Sequence, residues 1–220
     1  MATIGKTPSE QTFGDDIADS RRFWLVLRRN TPQNEIVGTV AARLDQIDTD
    51  PRAFLESELA YYWCEDGTVD LHLPDRVQRA LQGWSVYLGD LYFRADETGD
   101  RQKTFAFVHA AYALALARWP KAQALYVYMR MADYLEKNAV YGFTTAAALN
   151  AVEWSEPQTY RSQYECLALL SREDFVANAN ALLRSPELFE ELPDRRPRSA
   201  WAKPASPPQP NPAHPAIYSA

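Results

Sequence analysis

The sequence predicts an α+β domain. Three observations predict it. Apolar runs of strand length stand at 23–27, 35–44, 84–93 and 124–129; a long segment of helical period stands at 101–119; and turn or cap residues punctuate the junctions between them. Strand and helix patterns are interleaved, as in a sheet with helices packed on it.

Bulk composition sets the bounds. A chain of 220 residues suits one domain with tails, and 46 % hydrophobic with 24 % charged residues is ordinary for a globular protein. The formal net charge of -6 leaves no broad basic surface, so a nucleic-acid partner is not expected. No apolar stretch reaches the roughly 18 residues of a membrane span. Met1 to Lys6 lack the apolar core of a secretion signal, and the cytosol is the default compartment. Cys64 and Cys166 lie far apart, and His72, His109 and His214 are scattered, so no metal site is expected.

Residues 1–20 read as a polar leader, and 21–192 as the domain proper. The runs 23–27 and 35–44, joined by the turn cluster Asn30-Thr31-Pro32-Gln33-Asn34, form an antiparallel hairpin. Residues 49–83 are a helical insertion. Asp50 caps a helix with Pro51 at its first position, and Phe54, Leu55, Leu59 and Tyr62 share one face before Asp66-Gly67. Glu56 and Glu58 read as its solvated face. Val69, Leu71 and Leu73 then alternate like a short strand, and Pro74-Asp75 opens a helix through Leu81.

The near-continuous apolar run 84–93 is a central strand covered on both faces. A charged loop, 94–100, leads to the long helix. Its apolar stripe is Phe105, Val108, Ala111, Tyr112, Ala115 and Leu116, and Pro120 stops it. A buried strand, 124–129, is followed by a helix over 132–138 with Leu135 inward. Tyr141-Gly142-Phe143 turns the chain into a strand over 144–153, clearest at 148–154. Residues 163–170 fit strand or helix, and 175–183 a helix with Asp174 near its start. Eight of the fifteen prolines fall between Pro193 and Pro215, so 193–220 reads as a disordered or polyproline tail.

The order of elements from 23 to 154 resembles the core of the GNAT acyltransferase superfamily. Three local matches carry the resemblance. Glu35-Ile36-Val37-Gly38-Thr39-Val40 is similar to the family's second hairpin strand. Leu88-Gly89-Asp90-Leu91-Tyr92-Phe93-Arg94-Ala95-Asp96-Glu97 is similar to its central strand and exit. Ala132-Asp133-Tyr134-Leu135-Glu136-Lys137, continuing to Gly142-Phe143, is similar to its "A-x-x-L-Y-E-K-x-G-F" segment with extra residues inserted.

The resemblance implies a mixed, twisted sheet flanked by helices, with a bulged central strand that splays from its neighbour. It further implies an N-acyltransferase that takes an acyl group from acyl-CoA or acetyl-CoA, or from an acyl carrier protein, to a small-molecule or protein amine; a homodimer stays open. Backbone groups of Leu91, Tyr92 and Phe93 would hold the pantetheine, and Tyr134 or Tyr141 would protonate the leaving thiolate. Asp90, inside the apolar strand, is a general base or amine-orienting residue, or else a carboxylate paired with Arg or Lys.

The family's phosphate loop, "[RQ]-x-x-G-x-[GA]" at a helix N-terminus, is replaced by Asp96-Glu97-Thr98-Gly99-Asp100-Arg101-Gln102-Lys103-Thr104. Two readings follow. Arg101, Lys103 and Thr104, with Gly99 in register, bind phosphate directly. Alternatively Asp100 only caps the helix, and the chain is a catalytically silent GNAT-like binding or assembly module. Only about 22 residues precede the hairpin, so the insertion 49–83 is the candidate for the missing acceptor wall. His109 reads as a core or boundary histidine, His72 as a minor general-base candidate, and Tyr61-Tyr62-Trp63 with Trp84 as pocket, core or interface aromatics.

Overall fold

A computed structural model describes residues 18–64, 68–155 and 161–187. The polar leader up to residue 17, the Asp66-Gly67 helix stop and the Pro-rich tail lie outside the described residues.

The elements run β1 (Arg22–Arg28), β2 (Ile36–Ile47), α1 (Pro51–Trp63), β3 (Val69–Leu71), α2 (Asp75–Leu81), β4 (Gly83–Phe93), α3 (Arg101–Arg118), β5 (Ala124–Arg130), α4 (Met131–Tyr141), β6 (Ala146–Ala148), β7 (Val152–Trp154), β8 (Glu165–Ser171) and α5 (Arg172–Arg184). Six strands form one sheet in the order β1-β2-β4-β5-β8-β6, and β3 pairs β7 in a second, two-stranded sheet. In the large sheet only β4–β5 is parallel, and α3 supplies the crossover such a pair requires.

Alternation along the strands sorts side chains between two cores. Val86 and Leu88 of β4, Leu125 of β5 and Cys166, Ala168 and Leu170 of β8 pack under Val108, Tyr112, Ala115 and Leu116 of α3. Their neighbours Tyr87, Tyr126, Tyr128, Leu167 and Leu169 face the other way, against Leu55 and Leu59 of α1 and Val77 and Leu81 of α2. The central strand is therefore covered on both faces, as its apolar run requires, and the insertion forms the layer opposite α3. Burial in the α3 layer pushes the Cys166 thiol up to about 12, so it stays protonated and inert.

Asp50 caps α1 as the sequence suggests, accepting from Arg52 N at 2.9 Å with Pro51 beside it. The last helix starts three residues earlier than 175, and its cap is Ser171, which accepts from Asp174 N at 3.0 Å. Local periodicity misled at four places. The expected strand over 144–153 is broken at Leu149-Asn150, where Asn150 has φ 49, so that β6 joins the large sheet and β7 the small one. Leu135 points outward, 72 % exposed, because α4 turns Val140 to the core and runs on to Tyr141. Phe105 is not a core residue of α3; Phe107 is buried instead. Glu56 and Glu58 are not a solvated face: Glu56 accepts from Leu71 N at 2.9 Å, and Glu58 pairs with the buried Arg43 at 2.6 Å. The ambiguous 163–170 run is β8, buried between β5 and β6.

Gly142 ends α4 at φ 72, and a Cβ there would stand 2.9 Å from His109 Nε2. Gly142→Ala is expected to cost about 1–3 kcal/mol in denaturant unfolding, from left-handed backbone strain plus that clash. A change within a few tenths of a kcal/mol would refute the packing of α4 on α3.

Candidate active site at the splayed central strand

The centre of the sheet is shaped by a bulge. Thr39 pairs Tyr92 and Ala41 pairs Gly89, so Val40 of β2 faces two residues of β4, Asp90 and Leu91. Asp90 takes φ 52, a conformation Asp and Asn tolerate better than other side-chain-bearing residues. Thr39 Oγ1 donates to its carbonyl at 3.3 Å.

On its other side β4 pairs β5 only where Ser85, Val86 and Tyr87 meet Ala124, Leu125 and Tyr126. The ladder stops there, although β4 continues to Phe93 and β5 to Arg130. The parallel pair thus ends at Tyr87, short of the bulge, and the backbone of Leu91, Tyr92 and Phe93 runs beyond the point where β5 pairing ends. The fold is GNAT-like.

Solved structures of similar fold include Arabidopsis thaliana NAA60 in complex with acetyl-CoA (10 % identity, TM-score 0.44, covering 70 % of this chain and 77 % of that one). They also include the aminoglycoside acetyltransferase AAC(6')-Ib with coenzyme A and kanamycin (10 %, 0.40, 73 % and 72 %) and the CoA-dependent acyl-homoserine lactone synthase BjaI with SAM and isopentyl-CoA (10 %, 0.41, 76 % and 67 %). No family model matches the sequence, and no curated protein does. The GNAT-like assignment stands on the strand order, the bulge and the parting of β4 from β5.

The resemblance in sequence places a donor's diphosphate at the start of α3. That start is closed on itself. Asp100 caps the helix, accepting from Lys103 N at 2.9 Å, and Thr104 Oγ1 donates to Asp100 O at 2.8 Å. Lys103 Nζ pairs with Glu97 and sits 3.6 Å from Asp100. Arg29 reaches across from the end of β1 to Glu97 and, at 2.9 Å, to Asp96; Arg94 holds Asp96 at 2.5 Å and Glu35 at 3.0 Å. The Arg94 and Arg29 guanidiniums hold the Asp96 carboxyl well below the usual range, and Lys103 and Arg29 do the same to Glu97. Arg29, Arg94 and Lys103 thus face Glu35, Asp96, Glu97 and Asp100, and their charge is committed within the loop. Arg101, half-buried in the first turn, joins no ion pair among the described residues. Gly99 precedes the cap at φ 88.

The two tyrosines singled out on α4 both pack partly buried against the α3-side core that includes Leu88 and Leu91. Burial raises the Tyr141 phenol, so it keeps its proton at neutral pH, the form a proton donor needs; its carbonyl accepts from Tyr112 Oη at 2.9 Å. His109 is half-buried, stacked 3.7 Å from Phe105, and its Nδ1 is 2.9 Å from Phe105 O. Burial lowers its pKa and keeps it neutral at pH 7. It lines an apolar cavity of about 510 Å³ with Phe105 and Phe175. His72 is exposed, 3.0 Å from Glu153 across the β3–β7 pair. Of the aromatics in and near the insertion, Tyr61 is exposed, and Trp63 lies under the Arg161 guanidinium at 5.0 Å.

Sequence reading missed the polar residues on the insertion side of the bulge. Tyr87, Tyr126 and Tyr128 pack in tilted and edge-on pairs with ring centroids 5.4–6.2 Å apart. At one end Tyr126 Oη donates to Asp45 Oδ2 at 2.6 Å, and Asp45 grips Arg43 Nε at 2.7 Å. At the other, Arg161 pairs with the buried Glu165 and lies 5.7 Å over the Tyr128 ring. Burial pushes the Tyr87 phenol up to about 12, with the Asp90 charge acting in the same sense. The Tyr-x-Tyr spacing of β5 signals that two tyrosines share a face; nothing local in the sequence signals Arg161.

Proposed function

We propose that this chain is a GNAT-type N-acyltransferase. It takes an acyl group from a thioester whose pantetheine arm lies along β4, and gives it to an amine. The observation that supports this reading is the end of β4–β5 pairing at Tyr87 beside the Asp90 bulge. Amide backbone beyond that point can hydrogen-bond an extended pantetheine as an added strand.

In the reaction the amine nitrogen forms a bond to the thioester carbon, and the C–S bond breaks with the thiolate leaving with the electron pair. Asp90 orients the amine and receives the proton nitrogen loses, Tyr134 or Tyr141 gives a proton to the thiolate, and solvent then takes the proton from Asp90 and returns one to the tyrosinate. The bulge suits Asp90 to this role, since it is partly exposed beyond the point where the two strands part. The acceptor is a small-molecule or protein amine, and the α1–α2 layer is its wall.

The self-neutralised loop at α3 supports a donor that needs no diphosphate contact there, a phosphopantetheine arm borne by an acyl carrier protein, over free acyl-CoA. The same loop also favours the second reading, a catalytically silent GNAT-like module that binds or assembles. Thermal stabilisation separates them. A ligand at 100 times its Kd adds about 2.7 kcal/mol of stability. Acyl-phosphopantetheine and acyl carrier protein are expected to raise Tm, with acetyl-CoA no more effective than acetyl-phosphopantetheine. A Tm unmoved by every thioester supports the silent module.

A further inference from the structure

Two buried hydrogen-bond donors near the end of the β4–β5 ladder have no partner among the described residues: the Tyr128 hydroxyl and Arg161 Nε. They belong to neighbouring side chains, since the Arg161 guanidinium carbon stands 5.7 Å from the Tyr128 ring centre. A buried donor without an acceptor is costly, and two of them on neighbouring side chains mark a place where an oxygen would be welcome. Its position is informative. Tyr128 is two residues past Tyr126, the last residue of β5 paired with β4, and its ring packs 6.2 Å from that of Tyr87, the last β4 residue in that ladder. Asp90 follows three residues later on β4. The charge of Arg161 is already balanced by Glu165, whose other oxygen accepts from Ser162 N at 3.1 Å. The spare N–H therefore suits a neutral carbonyl oxygen better than a second carboxylate, which would leave excess negative charge in a buried site.

We propose that Tyr128 O–H and Arg161 Nε–H hold the carbonyl oxygen of the thioester, an assignment that rests on the acyl-transfer reading above. As the amine nitrogen bonds to the carbonyl carbon, the C=O π pair moves onto this oxygen, and the two donors stabilise the charge that develops. When the pair returns, the C–S bond breaks and the thiolate departs with its electrons. Tyr128 and Arg161 are thus catalytic residues contributed by the insertion-facing side of β5 and by the segment before β8.

The test compares S-acetyl-phosphopantetheine with the S-ethyl thioether, which lacks only the carbonyl oxygen, on the full chain by calorimetry and thermal melting. The wild type is expected to bind the thioester about five- to tenfold more tightly, the worth of one to two hydrogen bonds. Tyr128→Phe is expected to lose that preference while the ligand-free protein melts at the same or a higher temperature, because an unpartnered hydroxyl has been removed. Arg161→Lys, which keeps the charge beside Glu165 but removes Nε, is expected to shrink the preference as well. Tyr126→Phe, the control, keeps the preference and melts lower. If neither ligand binds the wild type, the acyl-transfer reading fails and this assignment with it. If both bind and Tyr128→Phe retains the preference, the acyl-transfer reading survives and the oxygen subsite is refuted. A ligand-free Tyr128→Phe that melts several degrees lower also refutes it, since the hydroxyl then has a structural partner.

Discussion

Asp45→Ala is expected to cost about 3–5 kcal/mol of stability in denaturant unfolding. Arg43 is only 3 % exposed, and its guanidinium is held by Asp45 through Nε at 2.7 Å and through Nη2 at 3.1 Å, with Glu58 at 2.6 Å from Nη2. The Tyr87 ring lies 5.3 Å below it. The Asp45 and Glu58 carboxylates keep the guanidinium firmly charged against the desolvation that opposes it. Removing Asp45 leaves a buried cation with one carboxylate and takes the acceptor from the Tyr126 hydroxyl. One substitution thus takes a buried partner from both Arg43 and Tyr126, which is why the loss exceeds that of a surface pair. Arg43→Leu/Asp45→Leu is expected to cost less than the sum of its single changes, since the two residues belong to one network. A loss under about 1 kcal/mol for Asp45→Ala would show that the network is not formed in solution.

Asp90→Asn is expected to lower kcat by about 10²- to 10⁴-fold once an acceptor is in hand, with a smaller change in KM. Asn tolerates the left-handed backbone at φ 52 as well as Asp does, so the bulge and the melting temperature are retained. The substitution removes the basic oxygen and leaves the shape. An Asp90→Asn protein with wild-type kcat would show that Asp90 is only the bulge residue, and the proton would then leave by another route. A protein that loses several degrees of Tm would show that the carboxylate itself holds the bulge.

The charged loop shows how far local reading extends. Asp100 as an N-cap was legible, because a cap acts on amides within three residues of itself. Locally, Arg101, Lys103 and Thr104 read either as phosphate ligands or as structural residues. What closes the loop is Arg29, 67 and 68 positions before its partners Asp96 and Glu97. No periodicity or motif carries a pairing of that separation. The same limit hid Arg161, whose neighbour Trp63 sits at the end of α1 and whose neighbour Tyr128 sits on β5. Glu58 was misread for a related reason: on a helix wheel it is a polar face, and only the packing of α1 over β2 shows that Arg43 waits beneath it.

By itself the sequence determined most of the elements and their order, the split of 144–153 and the nature of 163–170 excepted. Apolar runs, Asp50-Pro51, Pro74-Asp75, Asp100 and Gly142 act through backbone conformation and hydrogen bonds within a few residues, so the chain states them locally. The central strand with Gly89-Asp90 inside it was visible in the same way. Only the tertiary structure decided that β4 leaves β5 at Tyr87, that the α3 entrance is neutralised from the ends of β1 and β4, and that Arg161 meets Tyr128 near Tyr87. Those are contacts between distant segments, fixed by sheet register and by the competition of buried charges for partners.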